Sequence, residues 1–340
     1  MVYGIVFGGS SYEHEISIVS AIALKELLSS AKFIYLDAER DFYLIEPEQL
    51  KASTFSKGEY KKAPKLTLQK GGFYQKGMLG QKRLEMDVAI DLVHGRDGED
   101  GKLAALFTFF EIPFIGPRIE GSVISYNKLF TKLYAKAVGC EVIEYQLLRR
   151  GALEPLRFSY PVIVKPLRLG SSIGVSVVRD ESELSYALDV AFEFDDEVLV
   201  EPFIEGVREY NLAGCKAGNF IFSKLEEVTK EEYLDFDKKY RDFGRKEVRE
   251  AEVPAALAER IKKSFMAIYD PLFLGALIRI DFFVHNDTVY VNEINPVPGS
   301  LANYLFDDFR TVLDSLAQHL PTEPKISVDF RYLHSISAKK

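Results

Sequence analysis

The sequence predicts an α/β protein whose N-terminal part is a doubly wound parallel sheet, followed by a part of α+β character. In roughly the first 120 residues, short apolar segments that fit buried strands alternate with segments of helical spacing. Further along the chain, short polar turns separate the strands, which favours hairpins. The chain has 340 residues, 47% of them hydrophobic, and because this is too long for one ordinary core, two or three domains are expected.

The N-terminal part begins with VYGIVF, an apolar segment that fits a buried strand and ends at the tight turn Gly8-Gly9. The segments that follow keep the same alternation. Strands are predicted at residues 2–7, 33–36, 42–45, 88–93 and 113–116, and helices at 17–28 and 102–110. Residues 51–85 are rich in Lys, Gly and Gln with weak periodicity, and are predicted to form a variable surface excursion.

The second part begins near residue 121 with a lysine-rich helix. Strands are predicted at residues 161–165, 175–178, 197–201, 276–284 and 288–294, and helices at 127–138, 181–193, 255–269 and 307–319. The last two strands are joined by the polar tetrapeptide His285-Asn286-Asp287-Thr288, which indicates a hairpin. Residues 226–250 are polar and rich in Tyr, without clear periodicity, and a loop of this length is usually functional or mobile.

Composition excludes several functions. The net charge is −8, which argues against nucleic-acid binding, since that binding depends on neutralising phosphates with Lys and Arg. The two cysteines are far apart and have no CxxC spacing, so neither a zinc site nor a disulfide framework is expected. The N-terminus lacks the features of a signal peptide, and no apolar stretch is long enough to span a bilayer. We therefore predict a soluble cytoplasmic protein without a membrane or nucleic-acid partner.

The strongest chemical pattern is the pair of segments IRIDFF and VNEINPVPGS. Alternate residues of a strand share a face, so Arg279 and Asp281 point the same way, as do Glu293 and Asn295. If the strands pair, three oxygen ligands and one guanidinium meet on one surface, a combination that suits magnesium and phosphate. The alternative is an exposed polar face of an ordinary hairpin, which the strongly apolar flanks disfavour.

The segment VIVKPLRLGSSIGVSVV places Lys165 on a strand before a turn rich in Gly and Ser. Such a turn can present backbone N–H groups and hydroxyls to a phosphate, with the lysine as a point charge. It is not a Walker A motif, because the lysine precedes the glycines. On its own, this pattern fits a Gly-Ser hairpin with an incidental lysine nearly as well.

Two further segments are less specific. FGGSSYEHEIS permits close approach of the backbone to a ligand at Gly8-Gly9. Because it lacks GxGxxG, it supports dinucleotide binding only weakly, and because it lacks HExxH, it does not support zinc binding. It also fits the ordinary start of a helix. LVHGRDGEDGKL is dense in Gly and acidic residues and fits a solvated loop, because its spacing is not that of a calcium-binding EF-hand.

Taken together and in this order, the four segments resemble the D-alanine–D-alanine ligase family of ATP-grasp enzymes, from Gly8 to about Leu320. The resemblance implies an ATP-grasp fold with an N-terminal domain (1–120), a central subdomain (121–200), a C-terminal subdomain (201–327) that carries an omega loop (226–250), and a tail (328–340). It also implies two Mg²⁺ ions, for which Mn²⁺ could substitute, and a homodimer. The implied reaction joins two D-alanines with ATP through an acyl phosphate, for peptidoglycan synthesis.

The resemblance assigns residues to the nucleotide and the metal. The positions that match are Lys128 and Lys165 for the ATP phosphates, Glu201, Phe203 and Ile204 for the adenine edge, Glu209 for the ribose, and Asp281, Glu293 and Asn295 for the metal. Phosphoryl transfer depends mainly on positioning and charge neutralisation, which is the chemistry that these residue types supply.

It also assigns residues to the substrates. Glu13 would bind the ammonium group of the first D-alanine and orient Ser171, which with Tyr240 would complete a hydrogen-bonded triad that closes the site. Lys239 would reach the transferring phosphoryl group. The remaining matches are His94 and Glu99 near the first substrate, Arg279 and the Gly299 N–H at the tetrahedral oxyanion, and Ser300 and Tyr304 for substrate binding.

Three positions depart from the family pattern. Pro202 replaces a lysine near the adenine, and Leu234 occupies an omega-loop position that is often Tyr. Tyr304 stands where a serine often holds the carboxylate of the second substrate. Because of Leu234 and Tyr304, we predict weaker binding of the second D-alanine than of the first.

Three alternatives remain open from the sequence. The same chemistry with D-lactate as acceptor is disfavoured by the Lys239-Tyr240 pair. An NAD-dependent oxidoreductase is suggested by the βα start but lacks GxGxxG and leaves the acidic cluster unexplained. A non-catalytic nucleotide-binding protein is disfavoured because every position that the chemistry needs is filled.

Overall fold

The computed structural model describes residues 1–78, 80–228 and 250–337. The strands in these ranges are β1 (Tyr3–Gly8), β2 (Lys32–Leu36), β3 (Phe42–Ile45), β4 (Lys65–Gln69), β5 (Gly72–Gly77), β6 (Gly80–Arg83), β7 (Val88–Asp91), β8 (Phe114–Ile115), β9 (Gln146–Arg149), β10 (Val162–Pro166), β11 (Ser176–Val178), β12 (Glu197–Pro202), β13 (Arg208–Ala217), β14 (Asn219–Val228), β15 (Ile278–His285) and β16 (Thr288–Asn295). The α-helices are α1 (His14–Leu24), α2 (Ala52–Ser56), α3 (Lys102–Phe109), α4 (Ile119–Tyr126), α5 (Lys128–Ala137), α6 (Glu181–Phe192), α7 (Ala255–Tyr269), α8 (Phe309–Gln318) and α9 (Arg331–Ser337).

The N-terminal part forms one sheet in the order β6-β5-β4-β3-β2-β1-β7-β8. Strands β2, β1, β7 and β8 pair in parallel, and β3 to β6 extend the sheet by antiparallel pairing. The prediction of a surface excursion over residues 51–85 is therefore wrong, since this segment supplies α2 and three strands. The outermost of them, β6, is exposed along its whole length, so burial leaves no alternating pattern in its sequence.

Helices cover both faces of this sheet, which confirms the doubly wound arrangement. Alternate residues of β1 point to opposite faces. Ile5 and Phe7 pack in a core with α1 and α8, whereas Val6 packs on the other face with α3. Helix α8, which follows the third sheet in sequence, thus belongs to the core of the N-terminal sheet.

The second sheet has the order β11-β10-β12-β9 and is antiparallel throughout. Helix α6 packs on one face through Ala187, Leu188 and Ala191. Strand β12 runs from Glu197 to Pro202 and so crosses the predicted domain limit at residue 200. The domain limits themselves stay a prediction.

The third sheet has the order β14-β13-β15-β16, with α7 packed against it. The predicted hairpin is confirmed: β15 and β16 pair, and Asn286 and Asp287 at the turn have φ of 47° and 58°, as in the two-residue turns of type I′. Strands β9, β13 and β14 and helix α4 were not predicted. Within the described ranges, no helix is long and apolar enough to cross a membrane.

Candidate active site

One pocket lies between the second and third sheets and contains most of the predicted ATP and metal residues. The predicted residues that line it are Lys128, Lys165, Glu201, Phe203, Ile204, Glu209, Asp281 and Glu293. All six predicted ATP residues are therefore brought together, with two of the three metal residues. A larger, more open groove beside the β15–β16 turn is lined by none of the predicted site residues.

The register of β15 and β16 builds the oxygen-rich face that the sequence predicted. Asp281 lies directly opposite Glu293, and Arg279 opposite Asn295. The Arg279 guanidinium donates two hydrogen bonds to the Asp281 carboxylate, at 2.7 and 2.9 Å. Burial alone would lower the pKa of Arg279, but Asp281, together with Tyr304 and Glu226, raises that pKa well above its usual range. Arg279 is therefore a fixed positive charge beside the two carboxylates.

The donor set of this face suits a hard cation. Its members are two carboxylates and one amide, and oxygen ligands of this kind fit Mg²⁺ or Mn²⁺. Within the described ranges no three His, Cys, Asp or Glu side chains are grouped as metal ligands. A metal here would therefore need oxygens from Asn295 and from the bound nucleotide. Glu293 also lies 3.3 Å from the Lys128 ammonium group, so positive charge already balances its carboxylate.

Lys128 is placed in the pocket by the start of α5. The Asn127 side chain caps this helix by accepting hydrogen bonds from the N–H groups of Leu129 and Phe130. The Lys128 ammonium group donates to the Leu169 carbonyl and pairs with Glu293. It thus connects the glycine- and serine-rich turn to the third sheet, at the position where the sequence predicts the ATP phosphates.

Glu201 lies between two buried lysines. Its Oε2 is 2.7 Å from the Lys165 ammonium group, and its Oε1 is 2.7 Å from that of Lys132. Burial would raise the pKa of Glu201, but the two lysines outweigh it and hold that pKa below its usual range. Lys132 was not predicted as a site residue, because on the sequence it is one of several lysines in α5.

Glu13 is buried at the start of α1, next to the predicted first-substrate site. The Ser171 hydroxyl donates to its Oε1 at 2.5 Å, which brings together two of the three predicted triad members. Its Oε2 accepts no hydrogen bond from the described residues. Burial raises the pKa of this carboxyl, against the lowering effect of the Ser171 hydrogen bond. A buried carboxylate with an open oxygen suits a cationic group, such as the ammonium of an amino acid.

Two glycines make room for the Glu13 carboxylate. A Cβ atom on Gly95 would lie 2.6 Å from Oε2, and one on Gly170 would lie 2.9 Å from Oε1. Gly95 also has φ of +67°, in the left-handed region that favours glycine. Glycine is therefore needed on the loop after β7 and on the turn after β10, because both approach Glu13 closely.

His94 and Glu99 lie on the loop that follows β7. The buried His94 ring donates from Nδ1 to the Leu92 carbonyl at 3.0 Å, and burial lowers its pKa to about 4, so the ring is neutral near pH 7. Its Nε2 makes no hydrogen bond to the described residues, and the backbone oxygens of Leu92 and Pro298 oppose the lowering of the pKa. Burial, and next the Glu13 carboxylate, raise the pKa of Glu99 well above its usual range.

The turn after β16 carries Gly299, Ser300 and Tyr304. The Ser300 N–H donates to the Ser20 hydroxyl of α1 at 2.9 Å, and Ser300, Leu301 and Ala302 all have left-handed backbone angles. Left-handed conformations of this kind cost energy in residues other than glycine and cluster at functional sites. The turn is thus held in an unfavourable conformation against α1.

Tyr304 reaches the third sheet. Its hydroxyl lies 3.5 Å from Glu226 Oε2, which also accepts from the Asn211 amide at 3.0 Å. Burial raises the pKa of Tyr304, so the phenol stays neutral. Glu226 and Asn211 were not predicted as site residues.

The predicted residues Leu234, Lys239 and Tyr240 lie outside the described residues. Their assigned roles, and the third member of the predicted triad, stay predictions.

Comparison with known proteins gives one consistent family. The chain matches the model "D-ala D-ala ligase N-terminus" over residues 2–117 and "D-ala D-ala ligase C-terminus" over 135–308. It is 65% identical to the D-alanine–D-alanine ligase of a Nitratiruptor species, with 100% of both chains covered. It is also similar to the crystal structure of D-alanine-D-alanine ligase from Helicobacter pylori, with a TM-score of 0.86 and 54% identity, over 94% of this chain and 100% of that one.

Proposed function

This chain belongs to the D-alanine–D-alanine ligase family, and from that premise we propose how its own residues join two D-alanine molecules at the expense of ATP. The product, D-alanyl-D-alanine, serves cell wall synthesis. The family membership also decides against the oxidoreductase alternative. The residue assignment rests on one observation: all six predicted ATP residues line the same pocket as Asp281 and Glu293.

The reaction has two steps. A carboxylate oxygen of the first D-alanine attacks the γ-phosphorus of ATP, so that ADP leaves and an acyl phosphate forms. The amino group of the second D-alanine then attacks the acyl carbon, and phosphate leaves with the bonding electrons while the amine loses a proton. Because an acyl phosphate hydrolyses readily, water has to be kept away until the amine attacks.

Glu13 holds the first D-alanine. The substrate ammonium group completes the coordination of the buried carboxylate, whose Oε2 accepts no hydrogen bond from the described residues. Ser171 fixes the orientation of the other oxygen through its hydrogen bond to Oε1. His94, which is buried on the loop after β7, is assigned to the same substrate by the family resemblance.

Positive side chains bind the nucleotide phosphates. Lys128 and Lys165 both line the pocket and can each exchange a carboxylate partner for a phosphate oxygen. Arg279 is fixed by its two hydrogen bonds to Asp281. It is therefore in place to stabilise the negative charge that develops on the oxygen of the attacked acyl group.

Asp281, Glu293 and Asn295 would hold divalent metal, and we propose two Mg²⁺ ions, with Mn²⁺ as a possible substitute. Bound metal would neutralise charge on the transferring phosphoryl group. The chain's own part is to present the two carboxylates opposite each other on rigid strands.

Two further proposals concern the protein as a whole. Because the reaction consumes ATP, we place it in the cytoplasm. The homodimer implied by the resemblance has support in an exposed apolar strip on the packed helices α3 and α4. The strip consists of Leu106, Phe109, Ile119 and Val123. Covering such a strip removes apolar surface from water, and sedimentation at micromolar concentration would test it.

The test of the proposed function is phosphate release from ATP in the presence of magnesium, with the product identified by mass. D-alanine and D-lactate are offered together near neutral pH. D-alanyl-D-alanine as the main product supports the proposal. The depsipeptide as the main product would refute it in favour of the D-lactate alternative, and no phosphate release would indicate a protein without catalysis.

A further inference from the structure

A lysine outside the pocket holds a glutamate that lines it. Lys132 is fully buried in α5, and its ammonium group lies 2.7 Å from Glu201 Oε1. Glu201 lines the pocket, whereas Lys132 does not. Lys132 is itself held by the Ile143 carbonyl at 3.4 Å and lies 5.8 Å from the centre of the Tyr145 ring. A lysine buried so deeply needs such partners, because an unpaired buried charge is costly.

The second partner of Glu201 has a different position. Lys165 lies on β10 beside β12, lines the pocket, and pairs with Glu201 Oε2 at 2.7 Å. Under the proposed function, Lys165 binds an ATP phosphate. When Lys165 moves to that phosphate, it leaves Glu201 Oε2 free to contact the nucleotide. Of the two lysines, Lys132 then remains to neutralise the Glu201 carboxylate.

We propose that Lys132 is a positioning residue: it keeps Glu201 aligned and negatively charged beside the nucleotide base, and thereby makes the enzyme prefer a base with an amino group. This inference rests on the proposed contact of Glu201 with the adenine edge. A carboxylate accepts hydrogen bonds and does not donate them, so it accepts from the adenine amino group and repels a carbonyl oxygen at the same position. Because Lys165 leaves Glu201 when it binds a phosphate, the preference for an amino-bearing base is coupled to the binding of the phosphates.

Without Lys132, the released Glu201 would be a buried carboxylate lacking a cation. Such a group takes up a proton, and a protonated carboxyl can donate a hydrogen bond to a carbonyl oxygen. Loss of Lys132 therefore reduces the discrimination between the two kinds of base. It does not act on D-alanine, since the lysine contacts neither the Glu13 site nor the oxygen-rich face in the described residues.

The experiment compares ATP with inosine triphosphate, whose base carries a carbonyl in place of the amino group. The value of kcat/KM for each nucleotide is measured at saturating D-alanine and magnesium. We expect Lys132→Met to lower the ratio of ATP to inosine triphosphate by about tenfold or more, the effect of one hydrogen bond to a charged group. Lys132→Arg should restore part of the ratio, and the KM for D-alanine should stay unchanged.

Lys136→Met is the matched control. Lys136 lies one turn further along α5, is exposed, and is 5.3 Å from the centre of the same Tyr145 ring. It should leave the ratio unchanged. Two results for Lys132→Met would overturn the inference: an equal loss of activity with both nucleotides, or no loss of activity with either.

Glu201→Gln separates this inference from the proposed function. If Glu201→Gln leaves the ratio as in the wild type, the adenine contact itself is wrong. If Glu201→Gln lowers the ratio and Lys132→Met does not, only the role of Lys132 is wrong. Should Lys132→Met fail to fold, the double variant Lys132→Met/Glu201→Gln removes both members of this pair and is expected to give the ratio of Glu201→Gln alone. Any other ratio contradicts action through Glu201.

Discussion

Asp91, at the end of β7, is a buried carboxyl that the proposed reaction does not use, and replacing it should stabilise the protein. Asp91 is 1% exposed. Its Oδ1 accepts from the Val93 N–H at 3.0 Å, whereas its Oδ2 has no hydrogen-bond partner among the described residues. Burial raises its pKa from an ordinary value of 3.8 to about 7, although the Val93 hydrogen bond acts in the opposite direction. The folded state therefore favours the protonated form.

The size of the stability effect follows from the difference between the pKa of about 7 in the folded protein and the ordinary pKa of 3.8. A difference of one in pKa corresponds to about 1.4 kcal/mol. The raised pKa means that the folded protein binds a proton that the unfolded chain releases above pH 3.8. The contribution of Asp91 to stability is thus highest below that pH and falls as the pH rises from about 3.8 to about 7, by a total of about 4 kcal/mol. Asp91→Asn keeps the shape and the Val93 hydrogen bond but cannot ionise, so it removes this loss.

The assay is urea unfolding of the wild type and Asp91→Asn at pH 5, 6, 7 and 8, followed by circular dichroism. The stability gain of the variant should increase by about 2–3 kcal/mol between pH 5 and pH 8. Asp97→Asn serves as a control, since Asp97 is also buried but is paired with Arg40 at 3.0 Å. It should not show this gain. A gain from Asp91→Asn that is independent of pH, or greater at pH 5, would refute the reasoning.

Three further predictions concern the active site. Glu293→Ala should abolish phosphate release, because one of the two opposed carboxylates is lost. Glu154→Ala, at an exposed glutamate, is the control and should keep phosphate release. Near-normal turnover of Glu293→Ala would contradict the metal assignment. Gly95→Ala should raise the KM for the first D-alanine by about tenfold or more without changing that for ATP, since its Cβ would meet Glu13; Gly151→Ala, with positive φ but open space, is the control. The second D-alanine should bind more weakly than the first because of Leu234 and Tyr304, and equal dissociation constants from steady-state kinetics would rule this out.

The oxygen-rich face could be predicted from the sequence because it depends on local rules. Strand alternation fixes which side chains share a face, and the polar turn fixes which strands pair. Once β15 and β16 form a hairpin, Asp281 and Glu293 have to lie close together. No information from distant parts of the chain was needed for this part of the site.

Strand β13 was not predicted, although its sequence contains a strand signal. Its sequence, REYNLAGCKA, places Glu209 and Asn211 among apolar residues. Glu209 lines the pocket, and Asn211 donates to Glu226. They alternate with the buried residues Tyr210 and Leu212, which is the pattern of an antiparallel strand, so the polar residues serve the site without hiding the strand.

Lys132 was missed for a different reason. A lysine in an amphipathic helix is normally solvated, and the sequence of α5 contains several. Only the fold brings Glu201 to it from β12. In the same way, Glu13 and Ser171 are 158 residues apart in sequence, and their hydrogen bond depends on how the N-terminal and second sheets are placed.

Helix α1 explains how these distant segments keep their positions. Glu13 at its start, Ser17 and Ser20 follow helical spacing and share one face, which is buried. Ser17 accepts from the Gly8 N–H and donates to the Leu92 carbonyl, so it joins the ends of β1 and β7. Ser20 accepts from the turn after β16. A purely apolar face would bury more hydrocarbon but would leave these backbone groups without partners. The polar face of α1 therefore fixes three loops of the site relative to Glu13.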